Sequence, residues 1–304
     1  MAIGSVNLTS SMRTNLVSLQ NTASMMSNAE NHLSTGNKIN TAVDNPASFF
    51  AAQGQTSRAS QLGSLKDNIG QAIQTVNSGS NGITGEQALI ESLRGVITQA
   101  RSAINDTVNS ATILGGSKTG GTSGLTSQYN SLIGQLNNLV NDSSYQGVNF
   151  LTSGSAGTAV LTVNFNENAS TSITVSGFNA GASGLGISGG GTTKAVTANS
   201  TGNLTSGSIN NAANLNKMEA SLNTALATLQ TQSSALASTL SILTARQSFI
   251  TSMVNTLTVG STNLVGADTN TESANLLTLQ TQNQLGVTAL SMSNQANSAV
   301  LKLF

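Results

Sequence analysis

Near one end of the chain, apolar side chains fall at Met12, Leu16, Leu19, Ala23, Met26 and Leu33, with Glu30 at the skipped position. This alternation of three and four is the heptad rhythm of a narrow-striped helix. Near the other end Leu285, Ala289, Met292, Ala296, Ala299 and Leu303 repeat it. One amphipathic helix on a globular core would also be striped. Stripes at both ends, in segments poor in charge, favour a terminal coiled coil. The longest pattern runs through Leu215, Met218, Leu222, Ala225, Leu229, Leu236, Leu243, Ile250, Met253 and Leu257, with Gln232, Thr239 and Arg246 in the same register. A helix of that length spans about 65 Å at ~1.5 Å per residue, so the pattern predicts an elongated molecule. A second long helix is predicted from Pro46, well placed in a first turn, to about Asp106. Its apolar positions include Phe50, Ile69, Ile73, Val76, Ile83, Leu89, Leu93, Val96 and Ala100. A shorter helix is predicted from Leu125 to Val140, with Leu132, Leu136 and Leu139 on one face.

Between residues 152 and 208 helical spacing disappears, and Glu167 and Lys194 are the only charges. Ala159, Leu161, Val163 and Phe165 alternate with Val160, Thr162 and Asn164. Asn166-Glu167-Asn168 supplies a turn, and Ile173 and Val175 resume the alternation, which predicts a β-hairpin. The Gly/Ser-rich run from Gly181 to Thr193 reads as exposed loop or linker.

Composition narrows the chemistry. In 304 residues there are eleven basic and eleven acidic side chains, one His, one Pro and no Cys or Trp. Charged residues make up 7%, against about 25% in ordinary globular chains. A net charge of zero leaves no electrostatic footprint for nucleic acid or an anionic membrane. Without Cys there are no disulfides, thiolate nucleophiles or Cys-type metal sites. Ser, Thr and Asn supply about two residues in five, which suits either disorder or a low-charge assembly surface. The first eight residues lack the basic and apolar regions of a secretory signal, and no run approaches the ~20 apolar residues of a membrane span.

Candidate catalytic groups are few. His32 is the only imidazole, so two-His metal sites are impossible, and its place on a striped helix suits a flank or interface side chain better than a catalytic base. Gly115-Gly116-Ser117-Lys118-Thr119 faintly echoes a phosphate loop but has Ser where Gly should precede Lys, and no strand leads into it. The carboxylates, from Glu30 to Glu272, form no close pair suited to acid/base work. No catalytic, cofactor or metal residue is assigned, and no enzyme activity is expected.

The stretch from Leu33 to Phe50, LSTGNKINTAVDNPASFF, closely resembles the N-terminal signature of bacterial flagellins. Leu33, Ser34, Gly36, Lys38, Ile39, Asn40, Ala42, Asp44, Asn45, Pro46 and Ala47 fall on the pattern L-S-[ST]-G-x-[RK]-I-N-[ST]-A-x-D-[DN]-[PA]-A. Residues 268–304 resemble the family's C-terminal helix, including Glu272, Gln284, Leu290, Asn294, Gln295, Val300, Leu301 and Leu303. Tyr145-Gln146-Gly147-Val148-Asn149-Phe150-Leu151 resembles the family's F-N-G-x-x-L turn.

The resemblance implies a mainly α fold: an elongated antiparallel helical rod with terminal coiled-coil helices and a small β-hairpin insert. It implies an inner-tube domain from residues 1–44 and 260–304, a long-helix rod domain from 45–151 and 209–259, and a variable β-rich segment at 152–208. The implied role is that of a self-polymerising subunit of the extracellular flagellar filament, exported unfolded by the type III route without a cleaved signal. Implied partners are further copies of the chain, hook-junction and cap proteins and an export chaperone, with no nucleic acid and no membrane. Met12, Leu16, Leu19, Met26, Leu33, Leu285, Ala289, Met292, Ala296 and Leu303 are the expected assembly residues.

Two departures from the family pattern matter. Only about fifty residues separate Leu151 from the long C-terminal helix, which predicts little or no outer domain and a thin filament. The family's R-x-R-E-L-A stretch aligns with Gly95-Val96-Ile97-Thr98-Gln99-Ala100, beside Arg94, and both arginines and the glutamate are replaced. The altered epitope, Arg94 to Thr98, implies weak recognition by the flagellin-sensing Toll-like receptor. The rival readings are a hook–filament junction protein, which shares the terminal helices, and a surface adhesin or glycan-binding subunit, for which aromatics are scarce.

Overall fold

The computed structural model describes residues 10–104, 124–152, 160–187 and 212–301. Among them are five helices, α1 (Ser10–Thr35), α2 (Pro46–Ile104), α3 (Leu125–Asp142), α4 (Ala212–Val265) and α5 (Thr269–Leu301), and two strands, β1 (Val160–Asn164) and β2 (Ser172–Ser176). The fold is therefore mainly α with one small hairpin. Asp106, Ala159, Lys194, Leu303, the loop at 115–119 and residues 188–193 lie outside the described residues. The chain divides into two units, residues 1–60 with 253–304, and residues 61–252.

In the first unit α1 and α5 pair antiparallel, with His32 beside Glu272 and Leu19 against Gly286. The start of α2 is joined to the end of α4, where Thr56 Oγ1 lies 2.9 Å from Ser261 Oγ and the Ser261 hydroxyl donates to the Ala52 carbonyl. Gly260 faces Gln55 so closely that an added Cβ would sit 2.7 Å from its side-chain oxygen.

The second unit is organised by α2, among whose buried positions Ile69, Ala72, Val76, Gly79, Ile83, Glu86, Ile90, Leu93, Ile97 and Ala100 form an unbroken 3–4 alternation. From α4 the buried positions are Leu215, Met218, Leu222, Ala225, Leu229, Leu236, Leu243 and Ile250, as the sequence pattern predicts. Three glycines spaced three apart along α2 form a recess. Gly79 faces Phe150, Gly82 faces Leu151 and Ser143, and Gly85 faces Leu139. On α3 the fully buried residues are Tyr129, Ile133, Leu136 and Val140. Leu132 and Leu139 are only half-buried, so the face is turned by one residue from the predicted one. Leu139 instead lies against Gly85, at the edge of the glycine recess.

The hairpin pairs β1 with β2 antiparallel, Val163 opposite Ile173 and Leu161 opposite Val175, and buries Val163 and Val175. Its turn falls at Asn166-Glu167-Asn168, as predicted. Arg246 on α4 lies 5.0 Å above the Phe165 ring, a cation–π contact at the hairpin tip. Phe50, expected among the apolar positions of α2, is 60% exposed.

One expectation is overturned. Residues 181–187 are not exposed linker: Ala180, Ala182, Leu185 and Ile187 are buried. The Ala182 amide donates to Asn137 Oδ1 on α3, and the Leu185 and Ile187 amides to the carbonyls of Gly181 and Ala182. Gly184 is there for close approach, and Gly186 for a left-handed turn at φ +66°. A Cβ at Gly184 would overlap the Asn179 backbone.

Along the helices, threonine hydroxyls bond to the carbonyl four residues earlier, as at Thr14, Thr84, Thr224, Thr258, Thr278 and Thr288. These exposed hydroxyls are satisfied within their own helix.

The glycine recess yields a test. Gly82→Ala places a methyl into Leu151 and the Ser143 side chain, and should destabilise the unit by about 1–3 kcal/mol in urea unfolding. Gly95→Ala, whose Cβ meets nothing within 4 Å, should be neutral or stabilising.

Candidate functional site

The residues of the N-terminal signature build a corner. Gly36 ends α1 at φ +70°, a left-handed conformation that glycine adopts without a Cβ penalty. The Lys38 and Ile39 amides both donate to the Val265 carbonyl, at 2.8 and 3.3 Å, and the Ala267 amide returns a bond to the Gly36 carbonyl at 2.9 Å. Asn37 and Gly266 form a bridge across the same gap. Ile39 is buried while Lys38 is exposed. The turn from α1 to α2 and the turn from α4 to α5 are thus stitched together through their backbones.

Asp44 organises the rest. Its Oδ2 accepts from the amides of Asn40 and Thr41 and from the Thr41 hydroxyl, at 2.9–3.1 Å. Asn45 Oδ1 accepts from the Ser48 amide and caps α2. Asp268 caps α5 in the same manner, taking the Asn270 amide and the Thr271 hydroxyl. The Thr41 amide, followed by that of Asn40, holds the Asp44 carboxyl below its ordinary value. The Thr271 hydroxyl and amide do the same for Asp268.

Next to the corner, His32 Nδ1 lies 2.9 Å from Glu272 Oε1. Glu272 is the only charged residue in α5, so α5 meets α1 through one His–Glu hydrogen bond and a surface otherwise without charge on its own side. The covered positions of α5 are Leu276, Leu279, Asn283, Gly286, Leu290 and Ser293, and those of α1 are Met12, Asn15, Leu19, Thr22, Met26, Ala29 and Leu33. Each set keeps the 3–4 alternation.

Met12, Leu19, Met26 and Leu33 therefore lie in the seam, as their stripe predicts. Leu16 and Ala23 do not, and Asn15, Thr22 and Ala29 take the intervening places. On α5 the predicted stripe misses the seam altogether: Leu285 and Met292 are each 65% exposed, and Ala289, Ala296 and Ala299 are exposed too. The reason is Gly286. An added Cβ there would stand 2.8 Å from Leu19, so the helices close on a small residue and the line of Leu285 and Met292 faces outward. In the altered stretch of α2, Val96 and Ile97 are buried. Gly95 and Thr98 are exposed, and Arg94 pairs with Glu91 at 2.9 Å.

Sequence reasoning missed Val265, Gly266 and Ala267 as partners of the signature. A signal existed in Asp268-Thr269-Asn270-Thr271, a helix-start pattern two residues after Gly266.

The family model for the bacterial flagellin N-terminal helical region matches residues 5–156, and that for the C-terminal helical region matches residues 219–304. The chain belongs to the bacterial flagellins. It is 29% identical to flagellin FljO and 28% identical to flagellin FljK of Caulobacter vibrioides, over all of both chains in each case. It is 56% identical to a flagellin of Brucella melitensis over 45 residues, covering 15% of this chain and 16% of that one. Flagellins are structural subunits of the flagellar filament. Among the described residues, no helix is long and apolar enough to cross a membrane.

The corner gives an acid test. A carboxyl lowered on folding contributes stability that is present above its unfolded value and lost as pH falls through its folded one. Protection of the Asn40 and Thr41 amides against hydrogen exchange should hold down to the ordinary aspartate range, vanish below it, and be weak at every pH in Asp44→Ala. Unchanged protection in that variant would refute the hub role of Asp44.

Proposed function

We propose that this flagellin polymerises into an extracellular filament used for swimming, and that copies meet through the apolar line α5 turns away from α1. The observation that carries the proposal is the exposure of Leu277, Leu285 and Met292, at 67%, 65% and 65%, on a helix whose inner line is already covered. Leu16, Val17 and Met25 extend the exposed apolar surface on α1. The other assembly residues, Ala289, Ala296 and Leu303, continue the outward stripe in sequence. A subunit that offers one such surface to a different surface of the next copy makes a heterologous contact, and heterologous contacts that do not close generate a helical polymer.

The surface is suited to repeated burial. It carries almost no charge to desolvate, so assembly should depend weakly on ionic strength. On this reading the β-hairpin with its following turn stands in place of an outer domain. Hook-junction and cap proteins meet the ends of the polymer, and an export chaperone covers the C-terminal apolar line before secretion. Full-length similarity to flagellins FljO and FljK supports a filament subunit.

Assembly can be separated from folding by two substitutions. Leu285→Asp with Met292→Asp should leave the α1–α5 pairing intact by hydrogen exchange yet abolish filaments in electron micrographs of the seeded chain. Gly286→Leu should disturb the pairing itself. Normal filaments from the double aspartate variant would rule out the outward line as the contact. In a Toll-like receptor reporter assay, the monomer should be a weak activator, because Val96 and Ile97 are buried apolar groups and Arg94 is engaged by Glu91. Potent activation would contradict this.

A further inference from the structure

In the second unit a carboxylic acid stands where the packing rhythm calls for an aliphatic side chain. Glu86 occupies the seam position between Ile83 and Ile90, three residues from one and four from the other, and is 0% exposed. Neither carboxyl oxygen has a hydrogen-bond partner. An ionised carboxylate in such a place costs far more than a neutral one.

The groups that could neutralise it on neighbouring elements do not. α3 reaches this stretch of α2 through Leu139 and Gly85, and its titratable groups are Tyr129, whose buried hydroxyl also lacks a partner, and Asp142. On α4 the charges are Lys217, Glu219 and Arg246, of which Glu219 pairs with Arg101 at 2.7 Å and Arg246 stacks on Phe165. Within this unit α2 itself carries Lys66, Asp67, Glu91, Arg94 and Arg101, and Arg94 is taken by Glu91. None forms a bond to Glu86, and burial is the sole cause that pushes its carboxyl up, to about 8.

We propose that Glu86 is a proton-dependent element of the core, which holds α2 in its packed arrangement as the neutral acid and loosens that packing when the proton leaves. The sign follows from linkage. A carboxyl raised on folding contributes stability that is fully present below its unfolded value, near 4.5, and is lost progressively until the folded carboxyl has itself ionised. The subunit is then tightest in mild acid and reaches its loosest packing on the alkaline side of neutrality. This is the reverse of the acid-sensitive corner at Asp44.

The test uses the full-length chain, labelled with carbon-13 at the glutamate carboxyls, beside Glu86→Met and Glu86→Gln. The Glu86 carboxyl resonance should titrate well above the other glutamates. In urea, the unfolding equilibrium constant of the parent should rise relative to Glu86→Met by up to about tenfold per pH unit between pH 5 and 8. Glu86→Gln should share the flat profile of Glu86→Met while being less stable, because its amide hydrogens are left without acceptors. A Glu86 resonance titrating in the ordinary glutamate range would overturn the proposal, as would a Glu86→Met profile parallel to the parent's. If neither variant folds, the carboxyl titration of the parent alone decides.

Discussion

The carbonyl of Val265, held by two amides from the opposite end of the chain, is the constraint from which the rest of the first unit follows. Once residues 36–39 and 265–267 are joined through their backbones, the end of α1 and the start of α5, and the start of α2 and the end of α4, are fixed against each other. The heptad alternation then carries that register outward along each pair. Backbone bonds suit the task because they leave side chains free for other demands: Gly36 for the turn, Asp44 for closing the loop at Asn40 and Thr41, Asn45 for capping, Ile39 for burial. A motif that looks in one dimension like a string of unrelated residue preferences is in three dimensions a single joint.

The pairing of α1 with α5 shows how a helix can serve two partners. A coiled-coil seam ordinarily takes the most apolar line available. Here the in-chain seam contains Asn283, Gly286 and Ser293, and Leu285 and Met292 face out. Gly286 makes the difference by letting Leu19 approach closely, which gains dispersion contact without a large side chain of its own. The threonine hydroxyls bound to their own helix contribute to the same end, since they can be covered without leaving donors unsatisfied.

Much of this was legible in the amino-acid order. Every long helix, the hairpin and its turn follow from periods of 3.5 and 2, because those periods are properties of the backbone. What periodicity cannot supply is which of two adjacent lines faces inward. On α5 both lines alternate correctly, and the choice rests on one glycine meeting one leucine 267 positions away. The run at 181–187 misleads for a related reason: glycine required for close approach looks the same as glycine that confers freedom. The predicted stripe of α2 did not pass through Glu86. Only the structure places it without exposure or partner.

The near absence of charge in the C-terminal helix has a consequence outside folding and assembly. No Lys or Arg occurs between Arg246 and Lys302. Proteases that cut after basic residues therefore find no susceptible bond across the end of α4 and all of α5, whether those segments are paired, exposed or unfolded. Chains usually protect an exposed apolar helix from such enzymes by hiding it. In this chain composition does so instead, and the helix can present its leucines openly without offering a site of cleavage.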